Sequence, residues 1–471
     1  MERAIDNHNV ISNFHETANK LLVEFSDIMN KVIKLSSADE LEKLETELHL
    51  KSQKLADTLS GMKLQEQLNT PELQTSAKEM VKAQPKKMKN MGRRIVNVRM
   101  QGGNTVSIKA SYYHRSATIE KYKGNKGFYP ELILLGVDNR YSPGLSSQIS
   151  LLATAVNSFE EARQIIIETL GFKVNVKTIV AIVKQFAHKA RSALKLEEIK
   201  FPDDFSGRTL AASTDGGRIR IRKNKRGKKT AKRRTRYKTD WREPKLIIIY
   251  VIGKDGQKER KTLPIIDASL NGPDETFSLL HFYLKMLNIS AADLLLFISD
   301  GAQWIWERAK KLAQSVGFNS ENFFLALDFY HAVEHLSDLA SEIKEWDKKG
   351  RDRWVNRQKK RLLNGELEKF MHAVDDVCKG RNNANLQRER DYFSKHMPHM
   401  KYAELKGKGL PIGSGAVESA IRRVVNLRLK GPGIFWHEDC ADAMLMLRSY
   451  YKAGRWNSLK NMANLAKLAG V

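Results

Sequence analysis

The chain has 471 residues, enough for about two to four domains, and its 81 lysines and arginines against 54 acids leave a net charge of +27. With a pI near 9.8, that excess points to a polyanionic partner, and the longest purely apolar run, 246–252, falls far short of the roughly 18 residues of a spanning helix. Cys378 and Cys440 are the only cysteines, which excludes a disulfide framework and a Cys-x-x-Cys zinc pattern. The opening Met1-Glu2-Arg3-Ala4-Ile5-Asp6 has no apolar signal segment, so an intracellular, soluble protein without a membrane partner is expected.

Residues 1–90 read as helical, polar and poor in aromatics. Leu41, Leu44, Leu48, Leu55, Leu59 and Met62 fall near heptad spacing. That pattern fits either a short coiled coil or an amphipathic helix packed on its own chain. Pro85-Lys86-Lys87-Met88-Lys89 reads as a basic linker. Residues 91–140 read as a small β region, with Ile95, Val96, Val98, Val106, Ile108, Tyr112 and Tyr113 around a turn at Gly102-Gly103-Asn104. Residues 141–200 turn helical. Ser158, with Glu161 three residues on, predicts a capped helix start, and Gly171 predicts its end. A second helix runs from about 174 to about 194 and carries Lys177, Lys184, Gln185, His188, Lys189 and Arg191. The pair fits a DNA-reading helix-turn-helix or a plain helical hairpin.

Residues 201–340 read as mixed α/β. Strands are predicted at 209–214, 245–253 and 258–264, the last two joined by the hairpin signal Lys254-Asp255-Gly256-Gln257. A helix at 274–287, a strand at 294–299, a helix at 303–316, a strand at 323–327 and a helix at 330–343 follow. Residues 341–410 are charged and helical, like an insertion, and 411–471 return as further core helices. Three strands, then helix, strand, helix, strand, insertion and helix is the order of the RNase H-like fold.

Three acids stand out in that order. Asp215 and Asp300 each close an apolar, strand-like stretch and precede glycine; Glu418 opens an arginine-rich helix. They lie 85 and 118 residues apart. In this fold the strands ending in Asp215 and Asp300 would be neighbours, and a helix carrying Glu418 can cross nearby. Converging carboxylates of this kind hold the two divalent cations, Mg²⁺ or Mn²⁺, that activate a water or a 3′-hydroxyl against a phosphodiester. Taken singly, Asp-Gly is usually a turn and Glu418 a solvated helix residue. Asp328, three residues before His331, also ends a strand; the pair is expected to support the site rather than supply a main ligand.

Between Arg218 and Lys238, 21 positions hold 13 lysines and arginines and no acid. Arg218, Arg220 and Arg222 would share one strand face, and Lys223, Lys225 and Arg226 begin a basic loop. This run is expected to clamp phosphates next to the acids rather than form a solvated face. Arg422, Arg423, Arg428 and Lys430 follow Glu418 as a second basic element. Trp304, Trp306 and Trp436 are candidates for stacking on an unpaired base, or else packing residues.

The segments Ser-Asp-Gly-Ala-x-Trp-Ile-Trp at 299–306, Asp-x-Tyr-His at 328–331, and Gly-Ser-Gly-x-Val-Glu with Arg-x-Lys-Gly-Pro-Gly at 413–433 resemble bacterial insertion-sequence transposases of the DDE type. The nearest likeness is to the Kra-type or Lre-type group, and the Asp-x-x-His element is also similar to that of mutator-like transposases. The likeness spans about 140–455 and is most specific at 413–433. It implies an RNase H-like core, two divalent metals, Asp215, Asp300 and Glu418 in the catalytic positions, terminal inverted repeats and target DNA as partners, and a cytoplasmic, nucleoid-associated protein. Joining two element ends would call for two active centres, hence a homodimer on DNA. Some such proteins carry cysteine pairs upstream; 93–130 has none here, so no zinc site is expected. A structure-specific nuclease without strand transfer and a catalytically idle DNA-binding protein are the competing readings.

Overall fold

The computed structural model describes residues 2–85, 87–115, 127–195, 203–225, 227–231, 233 and 235–465. The chain divides into two units, Met1–Ile199 with Leu459–Val471, and Lys200–Ser458. In the first, helices α1 (Glu2–Asn30), α2 (Ala38–Gln67) and α3 (Pro71–Lys82) lead into an antiparallel hairpin, β1 (Met88–Arg99) and β2 (Thr105–Arg115). The hairpin turns at Gly102-Gly103-Asn104, as its sequence predicts. Gly103 sits at φ +88, and a Cβ there would lie 2.4 Å from the Leu170 carbonyl oxygen, so only glycine fits. A short β3 (Gly127–Phe128) extends the sheet beside β2. Strand periodicity sends Val96, Val98, Val106 and Ile108 inward to pack with Phe14, Met62 and Leu68. Ile95, out of phase with them, is 66% exposed. Positions 116–122, at the end of the expected β region, lie outside the described residues.

The α2 leucines do not make an apolar seam: Leu41 and Leu59 are exposed, and the buried face carries Asp57, Thr58, Gly61, Met62 and Gln65. This face packs on β2, while α1 lies along α2 with Lys51 Nζ 2.6 Å from Glu24. Within the chain, then, α2 packs as an amphipathic helix against α1 and the hairpin. Asp57 accepts hydrogen bonds from the backbone N–H groups of Gly102 (2.9 Å) and Asn104 (3.0 Å) and from the Asn104 side chain (3.0 Å). Gln65 donates to the Lys109 carbonyl and accepts from its N–H. Polar side chains thus pin the helix to the hairpin turn.

Helices α4 (Pro130–Leu134), α5 (Pro143–Ala155), α6 (Phe159–Leu170) and α7 (Val176–Lys195) complete the described part of this stretch. The Ser158 hydroxyl accepts from the Glu161 N–H at 2.9 Å, Glu161 accepts from the Asn157 N–H at 3.0 Å, and Gly171 ends α6 at φ +66. The predicted boundaries hold because capping chemistry is local. Of the basic residues expected on α7, Lys177 and His188 are exposed, but Lys189 is buried in an ion pair with Asp138.

The second unit is built on a five-stranded sheet ordered β10-β9-β4-β7-β8. Its parts, in chain order, are β4 (Thr209–Gly216), the ribbon β5 (Ile219–Asn224) and β6 (Tyr237–Arg242), β7 (Lys245–Val251), β8 (Ile265–Ser269), α8 (Gly272–Met286), β9 (Leu294–Ser299), α9 (Gln303–Ser315), β10 (Phe323–Leu327) and α10 (Phe329–Ser341). Strand β4 is antiparallel to β7 and parallel to β9; β7 and β8 pair antiparallel, β9 and β10 parallel. The apolar run in β7 is buried along its whole length, as a strand covered on both faces must be.

The expected strand at 258–264 is a correction. That stretch is charged and makes only an isolated bridge between Lys258 and Ile252; the third strand is Ile265–Ser269, fully buried, with Asp267 accepting from the Tyr283 hydroxyl at 2.6 Å. The stretch read as an insertion forms α11 (Lys348–Leu363), α12 (Leu367–Cys378), α13 (Ala384–His396) and α14 (Tyr402–Gly407). Then come α15 (Gly415–Ile421), a π-helical turn (Arg422–Asn426), α16 (Leu427–Leu429), α17 (Glu438–Lys452) and α18 (Trp456–Leu465). Among the described residues no helix is long and apolar enough to cross a membrane.

Replacing Asp57 with Ala orphans three donors at the hairpin turn. A loss of roughly 2–4 kcal/mol is expected there, read as faster amide hydrogen exchange over residues 100–108; unchanged exchange would show that the turn stands without the clamp.

Candidate active site

The parallel pairing of β4 with β9 runs from Thr209 opposite Leu294 to Ser213 opposite Ile298. Asp215 and Asp300 each stand two residues beyond that last pair, so the register brings both to one edge of the sheet. Strand β10 extends the edge: its end is tied to β9 by the Asp328 N–H, which donates to the Ser299 carbonyl at 2.8 Å. Helix α15, which carries Glu418, packs on β4 and β7. Gly217 lets the following turn come close, since a Cβ there would lie 3.1 Å from Val425 Cγ1.

Burial pushes the Asp215 carboxyl up to about 6, and the negative charges of Asp300, Glu418 and Glu243 push it the same way, against a hydrogen bond from the Gly216 N–H. Three segments distant in sequence therefore act on one carboxylate. Asp300 is fixed by the Ala302 N–H (3.0 Å) and the Ser299 hydroxyl (3.1 Å). Glu418 is exposed on its helix. The edge is an acidic spot in a chain of net charge +27, and its hard oxygen donors suit a hard divalent cation. Convergence is incomplete, however: among the described residues no three His, Cys, Asp or Glu side chains come close enough to hold one ion.

Asp328 is buried and fully used. One carboxylate oxygen accepts from the N–H groups of Tyr330 (2.7 Å) and His331 (3.2 Å), capping α10. The other accepts from the Ser414 N–H (2.8 Å) and hydroxyl. It thereby fastens the start of the Glu418 segment to the end of β10. His331 turns its Nδ1 toward Glu334 at 3.4 Å.

Sequence reasoning missed Tyr392 and His396, both on α13. The Tyr392 hydroxyl donates to the Asp300 carbonyl at 3.3 Å. Burial, then the charges of Asp300, Asp328 and Glu389, push its phenol well above the ordinary range. His335 stacks on Tyr392 at 3.7 Å and bonds Glu389 at 2.6 Å. Burial, reinforced by Lys395, His399 and His335, pushes His396 down to about 4, keeping it neutral. No local pattern announces this cluster, because it depends on α13 docking beside a strand 92 residues earlier in the chain.

The basic residues divide into engaged and open ones. Arg220 donates to the Gly431 carbonyl at 2.6 Å and lies over Phe435; Arg222 bonds His437 at 3.0 Å and lies over Tyr237; Arg218 lies over Trp241. The pairing of β5 with β6, a strand not anticipated, supplies the Tyr237 and Trp241 rings, while Phe435 comes from the segment before α17. Lys223 pairs with Asp240 at 3.0 Å, Lys225 is exposed, and Arg226 lies outside the described residues. Arg422 and Lys430 are exposed, while Arg423 reaches the Ser419 carbonyl at 3.3 Å.

Burial decides two further residues: Arg428 does not stand open as a basic contact, and Trp436 follows the packing one of its two readings. Arg428 is buried over the Trp436 ring, and Trp436 is only 6% exposed, its indole N–H donating to the Leu429 carbonyl at 3.1 Å. Neither presents itself to DNA in this arrangement. Trp304 carries Lys245 Nζ 4.4 Å from its ring centre, and Trp306 stacks on His399 at 4.5 Å, so both half-buried rings already have partners.

Asp215 gives a pH signature. Its folded-state pKa lies above the ordinary 3.8, so its protonation favours the fold; that contribution is complete below about pH 4 and lost as pH rises through about 6. Without divalent cations, Asp215→Asn should therefore stabilise the protein at pH 8 by up to about 3 kcal/mol, with the gain shrinking toward pH 4. Chemical denaturation at the two pH values checks this, and a variant destabilised equally at both would refute the raised Asp215 pKa. No protein-family model and no curated protein matches this chain, so the functional reading rests on the arrangement just described.

Proposed function

We propose that this protein is a metal-dependent polynucleotide phosphotransferase with an RNase H-like core, acting as the DDE-type transposase of a DNA insertion sequence. The observation that carries the reading is the carboxylate edge: Asp215 and Asp300 end adjacent parallel strands, and the charge of Glu418 from α15 reaches Asp215. The strand order β10-β9-β4-β7-β8, with only β7 running against its neighbours β4 and β8, supports the same fold.

Mg²⁺ or Mn²⁺, two per site and held by Asp215, Asp300 and Glu418, would supply Lewis acidity at the scissile phosphate. The chain's own residues do the rest. Asp215, pushed toward protonation by burial and then by its acidic neighbours, would be relieved by a cation. Asp300 is held rigid by its backbone and hydroxyl donors. Asp328 fixes the root of the segment bearing Glu418. Exposed Lys225, Lys228, Lys229, Arg422 and Lys430 would neutralise phosphates. The substrate in this proposal is double-stranded DNA with terminal inverted repeats, joined to target DNA by a homodimer.

Cleavage of a labelled terminal-repeat duplex in Mg²⁺ should fall on the order of a thousand-fold in Asp215→Asn, Asp300→Asn and Glu418→Gln while duplex binding persists. Near-normal cleavage by any one removes that residue from the site. Substituting Lys225, Lys228 and Lys229 together by Gln should lower the slope of log K against log salt by about 2.7; an unchanged slope would mean that the loop leaves phosphates alone.

A further inference from the structure

A cleft of about 720 Å³ lies beside the carboxylate edge, bounded by α15, by the turn after β7 and by the segment 409–413. Ile248 and Tyr250 of β7 line it. They share a strand face with Leu246, which pairs with Asp215, so the cleft begins two residues, about 7 Å, along β7 from the position opposite Asp215. At its near end stand Gly413 and Tyr330. Tyr330 is 62% exposed, unusual for so large a ring, and its N–H is held by Asp328. Gly413 makes room for it, since a Cβ there would lie 2.6 Å from the ring. At the far end Gly256 meets the Gly409 carbonyl, where a Cβ would come within 2.9 Å. Lys258, Lys406 and Arg423 line the cleft against a single acid, Asp255.

An exposed aromatic face with three cations is the chemistry that holds an unpaired nucleotide strand: stacking takes the base and the cations take the phosphates. The volume is that of a small-ligand pocket, too narrow for a duplex. We infer that this cleft binds a single-stranded stretch of nucleic acid adjoining the scissile phosphate, with a base on Tyr330 and phosphates on Lys258, Lys406 and Arg423. The inference rests on the polynucleotide reading of the carboxylate edge and deepens it. It assigns a place for the strand exposed once the duplex opens.

The test uses the full chain with a labelled 15-nucleotide oligothymidylate and, separately, a duplex of random sequence. Lys258→Gln with Lys406→Gln, both at exposed positions, should lower the single-strand salt slope by about 1.4 and leave the duplex slope unchanged. Tyr330→Ala should weaken single-strand binding roughly ten-fold, whereas Tyr330→Phe, which keeps the ring, should not. Single-strand binding untouched by both the lysine pair and Tyr330→Ala, with duplex binding intact, would overturn the cleft assignment alone. A wild-type chain that binds neither probe would overturn the cleft and the polynucleotide reading together.

Discussion

The carboxylate of Asp328 is the interaction on which the second unit's arrangement depends. It is buried, and it accepts from three backbone N–H groups and one hydroxyl, two of the four donors belonging to Ser414, 86 residues further on. A buried carboxylate left with fewer donors would be costly, so losing either segment would strain the other. By making these bonds, Asp328 starts α10 and anchors the chain as it returns from the helical stretch at 348–407. The Phe329 N–H adds a bond to the Ile412 carbonyl at 2.9 Å. What a sequence motif presents as a catalytic-looking acid is thus the joint between the sheet and the helix bearing Glu418.

Around that joint the molecule sets two electrostatic regimes against each other. The surface is strongly basic, yet at the sheet edge burial, and after it the neighbouring acids, push the Asp215 carboxyl up to about 6. Such crowding is destabilising in isolation. It is retained where a ligand of opposite charge relieves it, and this is the usual relation between a strained site and its function. The arginines of β5 follow the opposite logic. They lie over aromatic rings and bond backbone carbonyls or His437, so their charge stiffens the ribbon and is partly spent before any partner arrives.

Local chemistry made much of this legible in the sequence. The strands ending at Ser299 and Leu327, the caps at Ser158 and Gly171 and the turn at Gly103 follow from short-range rules of pattern and backbone conformation. The errors share one cause, which is that partner choice is tertiary. A hairpin signal after β7 did not produce a strand, because 258–264 has no apolar face to bury. The ribbon strand Tyr237–Arg242 was hidden inside a charge run. Lys189, Arg428 and Trp436 look like nucleic-acid contacts by type, but folding buries each against a partner within the chain. The Tyr392 and His396 cluster could not be read at all without knowing where α13 docks.

The π-helical turn at Arg422–Asn426 has a geometric consequence. A π turn holds one residue more than the α-helical turn it replaces, and each residue advances the helix by about 100°. Here Arg448 occupies the carbonyls of Arg423 and Val424, at 2.6 and 2.9 Å, that the widened turn leaves open. The turn therefore acts as an absorbed one-residue insertion. It lets the face that directs Glu418 toward the acids and the face that buries Arg428 and Leu429 be set independently in phase. Loss of one residue here would leave a smooth helix without that offset and would turn the two faces by about 100° relative to each other.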